Sequence, residues 1–172
     1  MQKIIFLDID GVLNSERWHT EMTKNAPKDR FGYEFDPAAV SNLAKIVEET
    51  EADIVISSSW KCFGLDGMQE MWETRNLPGE VIGITPNTIS DELQLSIDID
   101  GIEDYNLRGR EIDEWMRRFG EDVSQYVIID DIDCFLSGQQ NHLVLTDPRI
   151  GLNDLDATKA IMILNGITND GK

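Results

Sequence analysis

The sequence predicts an α/β protein, a three-layer α/β/α sandwich around a central, mostly parallel sheet. Three observations carry that expectation. Short apolar runs at 4–7, 54–56 and 126–129 alternate with capped segments of helical period, an order that builds a parallel sheet with helices on both faces. Each of those runs stops abruptly in polar residues: Asp8 and Asp10, Ser57-Ser58-Ser59, and Asp130-Asp131. Open sheets of this kind bind ligands outside the carboxyl ends of their strands, so the polar ends are expected to converge on one site. No repeat, low-complexity stretch or linker divides the chain. One domain over 1–172 is expected, long enough to bury a core.

In the first strand, Ile4, Ile5, Phe6 and Leu7 are strand formers, followed by Asp8-Ile9-Asp10-Gly11. Residues two apart on a strand point to the same side, so Asp8 and Asp10 are expected to face one pocket. Gly11 lets the chain turn away from it. Two like charges at that spacing want a cation between them or a shared proton, and a hard cation such as magnesium suits carboxylates. Residues 15–33 hold no sustained period and are expected to form a flap or loop insert beside the strand end, where loops commonly enclose ligands.

Asp36 then caps a helix with Pro37 at its first position. Val40, Leu43 and Val47 face the sheet, and the helix runs to about Thr50. Residues 54–56 are a buried strand whose terminal serines can offer hydroxyls and backbone N–H groups to an anion. A helix is expected over 66–76, capped by Asp66, with Met68, Met71 and Trp72 as core. Leu77-Pro78-Gly79 stops it, and Val81–Ile84 is a further strand. Over 87–106, Leu93, Leu95, Ile97 and Ile99 alternate with polar residues before the Asp100-Gly101 turn signal, the pattern of a small hairpin-like insert at a sheet edge or lid.

Asn106 is a cap for the next helix, in which Ile112, Trp115, Met116 and Phe119 form the apolar stripe and Gly120 the end. Arg108 and Arg110 occupy its first turn, where cations oppose the helix dipole; that placement disfavours a plain surface role. Residues 126–129 form a third buried strand and 142–145 a short one, with His142 structural. Asn153 or Asp154 caps the last helix, which turns Ala157, Ile161 and Leu164 inward and ends at Gly166.

Composition excludes several classes. No apolar run approaches a membrane span, and the first strand, broken by two aspartates, makes a poor signal peptide. Cys62 and Cys134 suggest no disulfide framework, and His19 and His142 alone do not make a zinc site. A reducing cytoplasm is the expected setting. Lys and Arg number 15 against 33 acidic residues, a net charge of −18. Such a surface serves solubility and argues against extensive binding to a nucleic-acid backbone or an acidic membrane. The alternative is an acidic module that docks on a basic protein or mimics DNA.

The strand-end set resembles the haloacid dehalogenase (HAD) superfamily of phosphohydrolases, with its Rossmann-like fold. Asp8-Ile9-Asp10-Gly11-Val12-Leu13 is similar to its first signature, Ile54-Val55-Ile56-Ser57 to its second, and Ile128-Ile129-Asp130-Asp131 to its acidic fourth. The third is usually a lysine near a helix start; here the match is Arg108. More narrowly, Ser57-Ser58-Ser59-Trp60-Lys61, Val81-Ile82-Gly83-Ile84-Thr85-Pro86, Arg108-Gly109-Arg110-Glu111-Ile112 and Thr146-Asp147-Pro148-Arg149-Ile150-Gly151-Leu152 resemble the HAD domain of Swiss Army knife RNA-repair proteins.

The resemblance implies a phosphoric monoester hydrolase with little or no cap. Asp8 would attack phosphorus to give an aspartyl-phosphate, and Asp10 would act as acid and then base. Magnesium would be held by Asp8, the Asp10 backbone carbonyl and Asp131, with Asp130 as second candidate. Ser57, then Ser58, and Arg108 would hold phosphoryl oxygens. The substrate implied is a phosphorylated small molecule, a nucleotide or a nucleic-acid end; transfer to an acceptor other than water is the further alternative.

Overall fold

The computed structural model describes residues 1–22, 27–87 and 107–167. In chain order its strands are β1 (Gln2–Leu7), β2 (Lys28–Asp29), β3 (Gly32–Tyr33), β4 (Asp53–Ile56), β5 (Val81–Ile84), β6 (Val123–Asp130) and β7 (Leu143–Leu145). The helices are α1 (Pro37–Thr50), α2 (Gly64–Thr74), α3 (Leu107–Phe119) and α4 (Asp154–Leu164). Five strands form one sheet in the order β5-β4-β1-β6-β7, every neighbouring pair parallel. The fold is a three-layer α/β/α sandwich around a parallel sheet.

Residue alternation along β1 explains the layers. Ile5 and Leu7 point to one face, where they join Ile54, Ile56, Val127 and Ile129 beneath α1, α2 and α4. Ile4 and Phe6 point to the other, against Val55, Ile128 and the Ile112 and Trp115 side chains of α3. A strand buried on both faces has to be apolar throughout, which is why residues 4–7 carry no polar position. Phe6 meets Trp115 edge-on, ring centres 5.3 Å apart. Phe6→Ala is expected to cost about 3–5 kcal/mol, because the cavity would lie in a packed interior.

Helix α1 starts as its sequence says it should: Asp36 accepts a bond from the Ala38 N–H at 2.9 Å, and Pro37 fills the first helical position. Its buried residues are Ala39, Leu43, Ile46 and Thr50, a core-facing stripe of helical spacing. Helix α4 carries a reciprocal cap, with Asn153 accepting from Leu155 and Asp156 while Asp156 accepts from Asn153.

Two local expectations, the Asp66 cap and the strand start at His142, need correction. Helix α2 begins at Gly64, not at an Asp66 cap, because a 3-10 turn at Ser59–Phe63 feeds directly into it. Asp66 therefore sits in the first turn, where its charge still suits the helix dipole. The 15–33 segment contains a π-helical turn at Trp18–Met22 and the antiparallel ribbon β2–β3. His142 ends a 3-10 turn rather than opening a strand, and its ring stacks on Tyr126 at 4.0 Å. The hairpin expected within 87–106 and the Asn106 cap lie outside the described residues. No helix among the described residues is long and apolar enough to cross a membrane.

The register decides where the strands end. Leu7 pairs with Ile56 on one side and Ile129 on the other. One residue further on, the Asp8 N–H donates to the Ile129 carbonyl at 3.0 Å and the Ser57 N–H to the Leu7 carbonyl at 2.9 Å. Asp8, Ser57 and Asp130 thus emerge side by side along one edge of the sheet.

Candidate active site

Asp8 is the centre of that edge and only 2% exposed. Its Oδ2 lies 2.9 Å from an Arg108 guanidinium nitrogen, and the same nitrogen reaches Asp130 Oδ2 at 2.5 Å. Asp8 Oδ1 has no hydrogen-bond partner among the described residues. Asp130 is fully buried, and its other oxygen accepts from the Ile132 N–H at 2.9 Å. Asp131 stands at the mouth of the same group, half-buried. One oxygen from each of Asp8, Asp130 and Asp131 lies within 4.8 Å of the others.

Three carboxylates facing one guanidinium are not charge-balanced. The consequence shows in their proton affinities. Burial pushes Asp130 up to about 7, and the charge of Asp8 adds to it; Arg108 and the Ile132 N–H pull the other way and lose. Asp131 is raised by burial and by Asp8. For Arg108, burial works against the charge, but Asp130 and Asp8 outweigh it and hold the guanidinium protonated. A proton in this group belongs to the cluster more than to any one residue. With all three acids ionised the group carries two uncompensated negative charges, which a divalent cation would neutralise.

The donor set fits such an ion. It consists of hard oxygens, and Asp8 contributes a buried oxygen with no partner among the described residues, which suits magnesium. Gly11 makes the crowding possible. Its φ is +75°, and a Cβ built there would stand 2.4 Å from both Asp131 Cγ and Oδ2. Thr146 Oγ1 donates to the Gly11 carbonyl at 2.9 Å and fixes the turn from the end of β7.

Asp10 behaves differently from Asp8. It is exposed, and both its oxygens are held: Asn14 Nδ2 donates to Oδ1 at 3.2 Å and Trp60 Nε1 to Oδ2 at 2.9 Å. Asp8 and Asp10 do share a cleft of about 540 Å3, lined also by Gly11, Asn14, Arg108 and Asp131. The like-charge crowding anticipated between Asp8 and Asp10 falls instead between Asp8 and the acids ending β6. Ser15, Glu16, His19 and Thr20 form one wall, so the segment after β1 does border the site.

The serines separate. Ser57 Oγ is buried and has no partner among the described residues. Ser58 Oγ accepts the Trp60 N–H at 3.4 Å and caps the 3-10 turn. Neither lines the cleft.

What places Arg108 is its neighbour Gly109, a residue without a functional group of its own. The Gly109 N–H donates to the Cys134 carbonyl at 3.3 Å, and Gln139 Nε2 donates to the Gly109 carbonyl at 2.9 Å. A Cβ at position 109 would lie 2.6 Å from Gln139 Oε1 and 2.7 Å from the Leu136 nitrogen. Gly109 therefore lets the start of α3 press against the loop after β6, which sets Arg108 over Asp130. The signal was present in Arg108-Gly109-Arg110: glycine inside a helix costs about 1 kcal/mol against alanine and asks for a reason. A second buried pair, Lys61 with Glu111 at 2.5 Å, ties the turn after β4 to α3, and Lys61 also reaches Thr85 Oγ1 and the Pro86 carbonyl. Both ends were visible as charges, but nothing in their spacing joined them.

No curated protein matches the chain. The family model described as the HAD domain in Swiss Army Knife RNA repair proteins matches residues 4–157. That span runs from β1 into the first turn of α4 and includes every residue of the strand-end cluster. A parallel sheet of order β5-β4-β1-β6-β7, with its acids gathered where β1 and β6 end, thus belongs to a chain of the HAD domain family found in Swiss Army Knife RNA repair proteins.

Proposed function

We propose that this protein is a magnesium-dependent phosphomonoesterase that works through an aspartyl-phosphate on Asp8. Family membership supports phosphatase-type hydrolysis in general. The observation that carries the finer reading is the meeting of Asp8, Asp130 and Asp131 with Arg108 at one edge of the sheet.

In the first step a carboxylate oxygen of Asp8 attacks phosphorus and the bond to the leaving oxygen breaks. Asp10, on the same cleft, delivers a proton to that oxygen. In the second step Asp10 takes a proton from water as the water attacks phosphorus, and Asp8 is released with inorganic phosphate. Arg108 holds Asp8 in place and offers positive charge to the phosphoryl oxygens. Ser57, whose hydroxyl is unpartnered among the described residues, is the serine for a phosphoryl oxygen; Ser58 is committed to its turn. Magnesium would be held by Asp8, the Asp10 carbonyl and Asp131, with Asp130 second because both its oxygens already accept bonds. When bound, the ion offsets repulsion between the carboxylate and an anionic ester.

For the substrate we favour a nucleotide or the phosphorylated end of a nucleic acid. A net charge of −18 is compatible with a short end held in a locally neutralised site and not with a long backbone. The test is phosphate release from an aryl phosphate, mononucleotides, 5′- and 3′-phosphorylated oligonucleotides and sugar phosphates, with magnesium and with chelator. Release that disappears in Asp8→Asn and with chelator is expected. Full activity of Asp8→Asn would sink the mechanism; inactivity on every ester, with capture of a basic protein, would favour the acidic-module alternative.

A further inference from the structure

We propose that Trp60 is a positioning residue for Asp10, the brace that aims its carboxylate at the leaving group. This rests on the acid–base role assigned to Asp10 above. Asp10 is exposed, and an exposed carboxylate left to itself turns freely about its side-chain torsions. Proton transfer needs it in one orientation, and a misplacement of about 1 Å can cost on the order of 100-fold.

The chain supplies two donors, one to each oxygen. Asn14 reaches Oδ1 from within the same turn, where Gly11 N–H bonds the Asn14 carbonyl at 3.0 Å. Trp60 reaches Oδ2 from a separate element, the 3-10 turn after β4. Asn14 lines the cleft and Trp60 does not, so the indole N–H braces the carboxylate rather than touching substrate. An indole nitrogen is a donor only, and each carboxylate oxygen keeps a second lone-pair position. The brace therefore leaves room for the proton that Asp10 gives and takes.

Trp60 is itself well fixed. Its ring packs against buried Phe35 at 5.6 Å and against Phe63 at 6.0 Å, and it leans on the larger core cluster. The turn that carries it is capped by Ser58, next to the strand end that brings Ser57 beside Asp8. A rigid aromatic anchored in the core thus ends in one polar atom, and that atom meets the acid–base carboxylate.

The test separates positioning from packing by using two esters. Hydrolysis of p-nitrophenyl phosphate has a leaving group that departs with little help from an acid; an alkyl phosphate such as glycerol 2-phosphate needs the proton. Trp60→Phe keeps a ring and removes the N–H. General acid catalysis is worth about 10²–10⁴-fold, so kcat/KM, which ends at departure of the leaving group and excludes hydrolysis of the aspartyl-phosphate common to both esters, is expected to fall on the order of 10- to 100-fold for the alkyl ester and less than about threefold for the aryl ester. Phe63→Leu, which disturbs the same aromatic packing and keeps the N–H, should leave the ratio of the two kcat/KM values unchanged. Should Trp60→Phe fail to fold, β-(3-benzothienyl)alanine at position 60 preserves the ring shape and lacks only the donor. Equal losses of kcat/KM on both esters would overturn the role of Trp60 and leave the phosphatase reading standing. Absence of turnover by the unaltered protein on every ester would overturn both.

Discussion

Asp130 should make the protein less stable as the pH rises through the range from about 4 to about 7. Its carboxyl is buried beside Asp8 and keeps its proton to about 7, against an ordinary value of 3.8. In the unfolded chain it ionises near the ordinary value. Between those limits the folded protein binds more protons than the unfolded one, so stability falls as pH rises; below and above the window this group contributes no slope. At about 1.4 kcal/mol per pH unit, the window is worth on the order of 4 kcal/mol. Arg108 limits the loss by holding the carboxylate that forms. The assay is urea unfolding at a series of pH values, in chelator, for the unaltered protein and Asp130→Asn. Asparagine keeps an acceptor for Arg108 or the Ile132 N–H but cannot titrate, so the two curves should converge or cross as pH rises toward 7. The difference between them, rather than either curve, is the readout, because other acids titrate in both. Parallel curves across the whole window would refute the placement of a protonated Asp130 in the folded state.

Magnesium should reverse that trend, since a divalent ion competes with protons for the same oxygens: the rise in melting temperature on adding it should be larger near pH 8 than near pH 5, and Asp131→Asn should shrink it. Gly11→Ala should destabilise by about 1–2 kcal/mol from its left-handed backbone alone, and more as Asp131 gives way to the new methyl group; weaker magnesium binding by titration calorimetry is the second sign, and an unchanged affinity would show that Asp131 does not ligate. Lys61→Met should cost about 3–5 kcal/mol by leaving Glu111 buried and unpaired, whereas the double variant Lys61→Met/Glu111→Leu should recover most of that stability; chemical denaturation of the three proteins decides, and a double variant as unstable as the single one would count against the ion pair as the cause.

The order of elements was legible from local chemistry. Asp36 and Pro37 announced α1 to the residue, because a cap and a preset φ act within one turn of chain. The apolar runs at 4–7 and 126–129 announced buried parallel strands, because a strand covered on both faces has no polar option. Asp66 misled because a 3-10 turn is stabilised by Ser58, a residue whose capping role depends on where the strand before it stops. Position 109 shows the opposite case: glycine looked like a weakness in a helix, and its reason appeared only when Leu136 and Gln139 stood where a Cβ would go.

By itself the sequence determined that acids and serines would finish apolar strands, that the sheet would be parallel, and that Asp8 and Asp10 would share a pocket. Period and propensity are properties of neighbouring residues, so they survive without coordinates. Only the tertiary structure decided that Asp8 crowds with Asp130 and Asp131 while Asp10 stands apart in the grip of Asn14 and Trp60. It also decided that Arg108, placed against its own helix dipole, recovers that cost from two buried carboxylates. Those outcomes depend on strand register and on contacts across 22 and 50 positions of chain, Arg108 to Asp130 and Trp60 to Asp10. No local pattern encodes them, because burial and charge become strong only once the chain has closed around them.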